Sequence, residues 1–567
     1  MKELFGRLFS RPVIAAEIMV ASLFANILAL AVPLFVMQVL RRYVAHGVNT
    51  TLVTLTIGVI SAIILELGFR QVRFKLAAAL NYRFDEALAE TAFSILNGAR
   101  SAAMGSLPPR LRREIISGAD NIRGAYGAIN IAAVLDVPFA LVFLLALFML
   151  SPALAFIAAF FIVTVFGASL ANQRALRKPV SDAMASSGRR SSLVASAIVA
   201  ADTVRAFNSA PYMHKKWRSE GRRFHAIGRY ISARQGLVGS LIRSAQSLMG
   251  VAVIAVGGTM VVAGNFDVGT LIGANILAAR ALGPIIRLAQ LNEAFVKAGQ
   301  SLKMLMKFSK IPREREKGSA LGKYKGGIEL KDLAFAHPGS NTPLFESLSL
   351  KLEPGATLVV TGANAAGKTT MARLLVGLIE PGRGRITADG VDIAQMAPEW
   401  WRRQLVYMPQ EPRFLNASLR DNLLAFNPSL DDTALNNLVN VTGLRGLVER
   451  SPEGFDLPIT DNGAGLSLGV RRRLALARGL AADGVLVILD EPTEGLDDEG
   501  CAMVYSVLNG LAKRRRTIIA FSHDRGIVKG ASLVLDLNSK PVPKLFGVKS
   551  SADGVAAMSG IANEPVK

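Results

Sequence analysis

Twenty-five consecutive residues, Val13 to Met37, carry one charged side chain, Glu17. In helical form such a run is longer than the roughly 30 Å of hydrocarbon in a bilayer. Comparable runs recur at Thr51–Phe69, Ile131–Leu150, Pro152–Ala171, Gly236–Ala263 and Val268–Ile286, so six membrane spans are expected. The first is not read as a cleavable signal peptide, because no small-residue cleavage site closes a short apolar core and five further spans follow. The 567 residues are 51% hydrophobic and 19% charged, with a mean hydropathy of +0.35, whereas soluble domains carry about 25% charged residues. A soluble globular chain is therefore excluded. The single cysteine, Cys501, also excludes an internal disulfide framework and a four-cysteine zinc site.

The 65 Lys+Arg exceed the 43 Asp+Glu by 22, and their placement decides what that excess means. Spans three and four are joined at Ser151–Pro152, and five and six by Gly264-Asn265-Phe266-Asp267, without a Lys or Arg. The stretch Arg70–Asn130 holds Arg70, Arg73, Lys75, Arg83, Arg100 and Arg123 among others, and Asn172–Gln235 is richer still. Positive charge accumulates on cytoplasmic loops, so both long connections and both termini are placed inside. Arg41 and Arg42, on the first outer loop, run against this and are outnumbered. Contact with lipid headgroups accounts for most of the excess, and no nucleic-acid partner is expected; a specific anionic ligand is the alternative. Glu17, Glu66 and Asp136 lie in or near spans, where they either line a path or pair between helices.

Segments such as Phe84–Asn97 read as amphipathic helix, so the spans should continue well beyond the bilayer. The fold class expected is an α-helical six-span transmembrane domain over 1–307, then a polar linker over 308–327, then an α/β P-loop nucleotide-binding domain over 328–545. Residues 546–567 are small and polar, and are expected to be a disordered tail.

The strongest chemical signal is Gly362-Ala363-Asn364-Ala365-Ala366-Gly367-Lys368-Thr369-Thr370, between the apolar strand Thr357–Val360 and a helix opening at Met371. A G-x-x-x-x-G-K-[ST] loop in that context wraps phosphate oxygens with backbone N–H groups and a helix N-terminus. Lys368 should bridge the β- and γ-phosphates, and the Thr369 hydroxyl should meet Mg²⁺. A second signal is Val485–Leu489, an apolar strand ending in Asp490 and Glu491. Carboxylates at that end of a strand fall at the ligand crevice of an open α/β sheet. Asp490 should hold the Mg²⁺ shell, and Glu491 should polarise the water attacking the γ-phosphate of ATP.

The order of these motifs resembles the nucleotide-binding domain of ABC transporters over nearly all of 328–545. The resemblance places Gln410 in the glutamine loop, where it joins the metal shell, His523 at the switch histidine and Asp497 in the loop after the acidic strand. Two positions depart from the pattern. The signature, usually L-S-G-G-Q, reads Leu466-Ser467-Leu468-Gly469-Val470. Ser467 and the Gly469 N–H survive as phosphate donors, while Leu468 restricts the backbone and Val470 removes a polar side chain, so a functional site that is slower or more substrate-dependent is expected, with a catalytically dead signature as the alternative. In Phe335-Ala336-His337-Pro338, His337 stands where an aromatic ring stacks on adenine; it either stacks as a flat ring or is a turn residue.

One six-span half with one nucleotide domain resembles half of an exporter, which implies a homodimer with two composite ATP sites. The resemblance also implies cytoplasmic elbows on the nucleotide domain, near Leu107–Ile116 and at Arg205–Glu220. Within exporters, Pro33–Leu40, Leu135–Phe143 and Leu271–Ile285 look most like the permease/ATPase of bacterial type I secretion systems. That implies polypeptide cargo, a periplasmic adaptor, an outer-membrane channel and the bacterial inner membrane. About a dozen residues precede the first span, so an N-terminal cysteine-peptidase domain is not expected. A lipid or small-molecule exporter, and a nucleotide-gated regulator that transports nothing, are the alternatives.

Overall fold

The computed structural model describes residues 2–547 apart from 45, 46, 48, 338 and 341. The expected tail therefore lies outside the described residues, except that Phe546 and Gly547 end a strand. The chain divides into two compact units: residues 1–99 with 103–312, and residues 313–567 with Arg100–Ala102.

The first unit is helical. Among the described residues six helical stretches are long and apolar enough to cross a membrane: Pro12–Val44, Asn49–Gly98, Ala128–Leu150, Pro152–Val199, Ala210–Val262 and Val268–Gln290. Three of them are 48–53 residues long, which at 1.5 Å per residue is about 75 Å, more than twice the bilayer core. They continue into the cytoplasmic connections as helix, as the amphipathic pattern implied. Short helices interrupt them at Ser101–Ser106 and Ala201–Ala206. Each is set off by a break on either side, and the later breaks, at 107–108 and 207–209, fall within the elbows expected at Leu107–Ile116 and Arg205–Glu220, just ahead of Pro109 and Pro211 in the first turn of the next helix. The third span breaks between Leu135 and Ala140, around Pro138.

The acids in these helices separate by environment. Asp136 is buried and accepts from Asn26 Nδ2 at 3.2 Å and from Arg73, with Arg287 Nη1 at 3.5 Å. It thus ties four helical segments together. Glu66 pairs with Arg70 one turn along its own helix, and Glu17 is exposed.

Among the described residues the second unit holds ten strands: β1 Ile328–Phe335, β2 Phe345–Leu352, β3 Thr357–Thr361, β4 Arg383–Ala388, β5 Val391–Asp392, β6 Leu405–Met408, β7 Leu486–Asp490, β8 Thr517–Phe521, β9 Leu533–Asp536 and β10 Lys544–Gly547. One antiparallel sheet has the order β2-β1-β4-β5, and the main sheet runs β10-β9-β3-β8-β7-β6. In the main sheet β9, β3, β8, β7 and β6 are parallel, and β10 is an antiparallel edge. Leu486 and Ile488 enter one core while Val487 and Leu489 enter another. A strand buried on both faces reads as an unbroken apolar run, which is how β7 appears in the sequence. The stretch read as a linker is held against this unit: Tyr324 is buried beside Trp401, Glu314 pairs with Arg402, and Ser319 N donates to Gln395 O at 2.9 Å.

Candidate functional site

Parallel strands deliver their C-terminal ends to one edge, and four of them carry the chemistry there. The phosphate loop follows β3, Gln410 follows β6, Asp490 and Glu491 end β7, and His523 follows β8. Residues that the sequence spreads over 160 positions meet because β3, β8, β7 and β6 are consecutive neighbours in the sheet.

The loop 362–367 is shaped by backbone conformations that suit glycine. Gly367 has φ +112°, and a Cβ there would lie 2.7 Å from Leu344 Cδ2. Ala365 adopts φ +63° without being glycine. Helix Lys368–Leu375 then begins without a side-chain cap, so its first N–H groups are free for an external acceptor. The Ala363 N–H donates to Asn538 Oδ1 at 2.7 Å, a partner the sequence reading missed. Asn364, Thr370 and Ala366 complete the loop in the expected order.

Lys368 is buried, and its ammonium donates to Gly362 O at 2.8 Å, meets His523 Nε2, and pairs with Glu491 Oε1 at 2.7 Å. Glu491 adopts φ +49°, its N–H donating to Phe521 O at 2.8 Å across the sheet. This strained turn aims its carboxylate back over the loop instead of along the strand. Asp490 has no exposed surface, and both of its carboxylate oxygens lack a hydrogen-bond partner. Burial pushes its carboxyl up to about 6. An orphaned buried carboxylate is costly unless something external meets it. The Thr369 hydroxyl donates to Gln410 Oε1 at 3.0 Å. Thr369, Gln410 and Asp490 thus present hard oxygen donors of the kind Mg²⁺ takes.

A network unseen in the sequence sits behind this centre. Arg472, almost fully buried, donates to the Glu491 carbonyl and to Glu494 Oε2 at 2.9 Å, while Gln410 Nε2 reaches Glu494 at 3.4 Å. Its only sequence signal was the Arg471-Arg472-Arg473 run beside the signature. Tyr505 donates its hydroxyl to Asp524, which caps the helix after His523.

The signature lies around its own cavity of about 450 Å³, lined by Ser467, Gly469, Val470, Arg473, Gly495 and Asp497 among others. Ser467 caps helix Leu468–Ala481, its Oγ accepting from Val470 N at 3.3 Å. Asp497 caps helix Asp498–Lys513 and pairs with Arg473 at 3.2 Å; the Gly500 N–H, with that guanidinium, holds its carboxyl below the ordinary range. The departing residue Leu468 lies over Gly495, where an added Cβ would come within 2.6 Å of Leu468 Cδ2. His337 is exposed, its ring edge-on to Phe335 at 5.2 Å.

Comparison with known proteins agrees with this architecture. Residues 15–285 match the model of the ABC transporter transmembrane region, and residues 345–494 match the ABC transporter model. The Toxin RTX-I translocation ATP-binding protein of Actinobacillus pleuropneumoniae is 26% identical over 92% of this chain and 73% of its own length. The alpha-hemolysin translocation ATP-binding protein HlyB of Escherichia coli is 26% identical with the same coverage, and the leukotoxin export ATP-binding protein LtxB of Aggregatibacter actinomycetemcomitans is 25% identical over 92% and 73%. A solved bacterial Atm1-family ABC exporter with ATP bound has a TM-score of 0.83 over 98% of this chain and all of its own, at 18% identity, which speaks to fold. With six spans ahead of a phosphate-loop sheet, and with both family models matched in that order, the chain belongs to the ABC transporters and is a multi-pass exporter whose ATP hydrolysis is coupled to transport.

Proposed function

We propose that this chain is the ATPase and permease of a type I secretion system, exporting a polypeptide across the bacterial inner membrane. The observation that carries the reading is alignment over 92% of the chain with proteins named for toxin and leukotoxin translocation or export. Two copies form the working unit, with a periplasmic adaptor and an outer-membrane channel completing the route.

In this reading ATP lies between the phosphate loop of one copy and the signature of the other. Backbone N–H groups of 362–370 take the phosphate oxygens, and Lys368 exchanges its contact with Glu491 for the β- and γ-phosphates. Glu491, freed from that ion pair, orients the attacking water, and His523, beside Lys368, stabilises the γ-phosphate. Thr369, Gln410 and Asp490 would hold Mg²⁺, which would supply positive charge to offset that of the phosphates. Ser467 Oγ and the Gly469 N–H reach the γ-phosphate from the other side, Asp497 positions that edge, and His337 stacks on adenine. Closing this sandwich pushes the cytoplasmic elbows, and hydrolysis releases them.

The test is to compare proteins secreted by cells carrying the wild-type chain and Glu491→Gln, which binds ATP without hydrolysing it. Loss of one polypeptide from the medium supports the reading. Unchanged secretion with lipids or small molecules retained in the cells moves the cargo class to those compounds. No change of either kind, with equal ATPase activity in the two chains, leaves the nucleotide-gated regulator.

A further inference from the structure

The helix Val268–Gln290 is packed by helices of spans one, three, four and five, and Gly273, Ala274, Leu277, Ala278, Ala281, Leu282 and Ile285 are buried on that side. Its less buried residues, Ile272, Ile276, Arg280, Gly283, Arg287 and Gln290, recur at helical spacing and make one open face. The outer part of that face is apolar and the inner part cationic. Arg280 lies twelve residues, about 18 Å, from the outer end of the span, which leaves it roughly 12 Å inside the cytoplasmic edge of the hydrocarbon. Exposure of a guanidinium to lipid at that depth is costly, so the half-buried Arg280 is read as lining a path within the protein.

The charge on this path is unbalanced. Arg280 has no partner among the described residues. Arg287 reaches Asp136 at 3.5 Å, but that carboxylate is already held by Arg73, whose buried Nε has no acceptor. A Cβ on Gly250 would meet Asn275 Oδ1 at 3.5 Å. That fixes the antiparallel register of the neighbouring helix and puts Arg243, exposed, level with the Gly283 region. Its polar contact is Ser240 Oγ, 3.5 Å away. Arg73 and Arg287 thus share Asp136 and Glu66 is engaged by Arg70, while Arg280 and Arg243 reach no carboxylate among the described residues.

We propose that this face binds carboxylates of the exported polypeptide, acidic side chains or a free C-terminus, with Arg280 the deepest docking point and Arg287 the inner one. The inference rests on the polypeptide-export reading and adds a cargo chemistry to it. The planar guanidinium fork matches a carboxylate bidentately. Anionic lipid headgroups sit at the bilayer surface and do not reach the depth of Arg280. Docking of this kind is local and reversible, which suits a segment that must move on.

The test uses the full chain in nanodiscs and fluorescence anisotropy of a labelled Glu-rich peptide and its Gln-for-Glu counterpart, with phosphatidylglycerol as competitor. The wild-type chain should bind the acidic peptide about tenfold more tightly, the worth of one charge-assisted contact. Arg280→Gln should erase that preference, and Arg280→Lys, which keeps the charge without the fork, should keep part of it. Basal ATP hydrolysis reports that each variant is folded, and Arg287→Gln gives a second reading should Arg280→Gln fail that control. Equal binding of both peptides by wild type and variant overturns the inference and leaves polypeptide export standing. Absence of binding by either peptide, or displacement by phosphatidylglycerol alone, overturns it together with the cargo class on which it rests.

Discussion

Asp136→Asn should destabilise the membrane unit more than any exposed charge substitution, and the structure sets the size of the effect. Asp136 and Arg73 are 5% and 8% exposed, and Asn26 donates to the same carboxylate at 3.2 Å. Removing one member of a buried pair strands the other, at a cost of about 3–5 kcal/mol. Arg287 adds little to this, since its side chain is 55% exposed and its contact is 3.5 Å long. The double substitution Arg73→Met with Asp136→Asn strands no charge, so it should recover at least about 2 kcal/mol relative to the sum of the single losses. The assay is unfolding of the purified full chain in mixed micelles of increasing SDS content, run as a double-mutant cycle. Strictly additive losses, or a single-variant loss below about 1 kcal/mol, would refute the claim that this pair is a coupled link between helices.

Three further outcomes follow from the nucleotide unit. Gly367→Ala places a methyl 2.7 Å from Leu344 Cδ2 at φ +112°, and should weaken ATP binding by at least about tenfold, measured with a fluorescent ATP analogue; unchanged affinity would contradict the loop argument. Asp490→Asn should abolish ATP hydrolysis yet stabilise the metal-free chain at pH 7.5 by about 1–3 kcal/mol. The raised carboxyl pKa, about 6, means the folded chain keeps a proton that the unfolded chain releases. Wild-type stability therefore falls as pH rises from about 4 to 6, and the gain from Asn should shrink toward pH 5; a gain independent of pH in thermal unfolding would sink this account. Leu468→Gly removes the side chain lying over Gly495 and should raise kcat for ATP a few-fold with little change in KM; a fall in kcat would show that Leu468 supports the signature.

Several features were settled by local sequence alone. Apolar runs of span length have few alternatives in water, so the six spans were legible from hydropathy. The phosphate loop was equally legible, because backbone N–H groups can cradle phosphate only where glycines relax the chain between a strand and a helix, as at 362–370. Tertiary structure decided which distant residues share a site. Strand order set Gln410, Asp490 and His523 beside Lys368, and no local pattern encodes that order. Folding also orphaned both oxygens of Asp490, joined Arg472 to Glu494, and bound the polar stretch around Tyr324 where composition read as a free linker. It drew Asp136 into pairing with Arg73, 63 positions away. Such pairings depend on burial and on which helices become neighbours, and those follow from packing of the whole chain rather than from the residues adjoining any one of them.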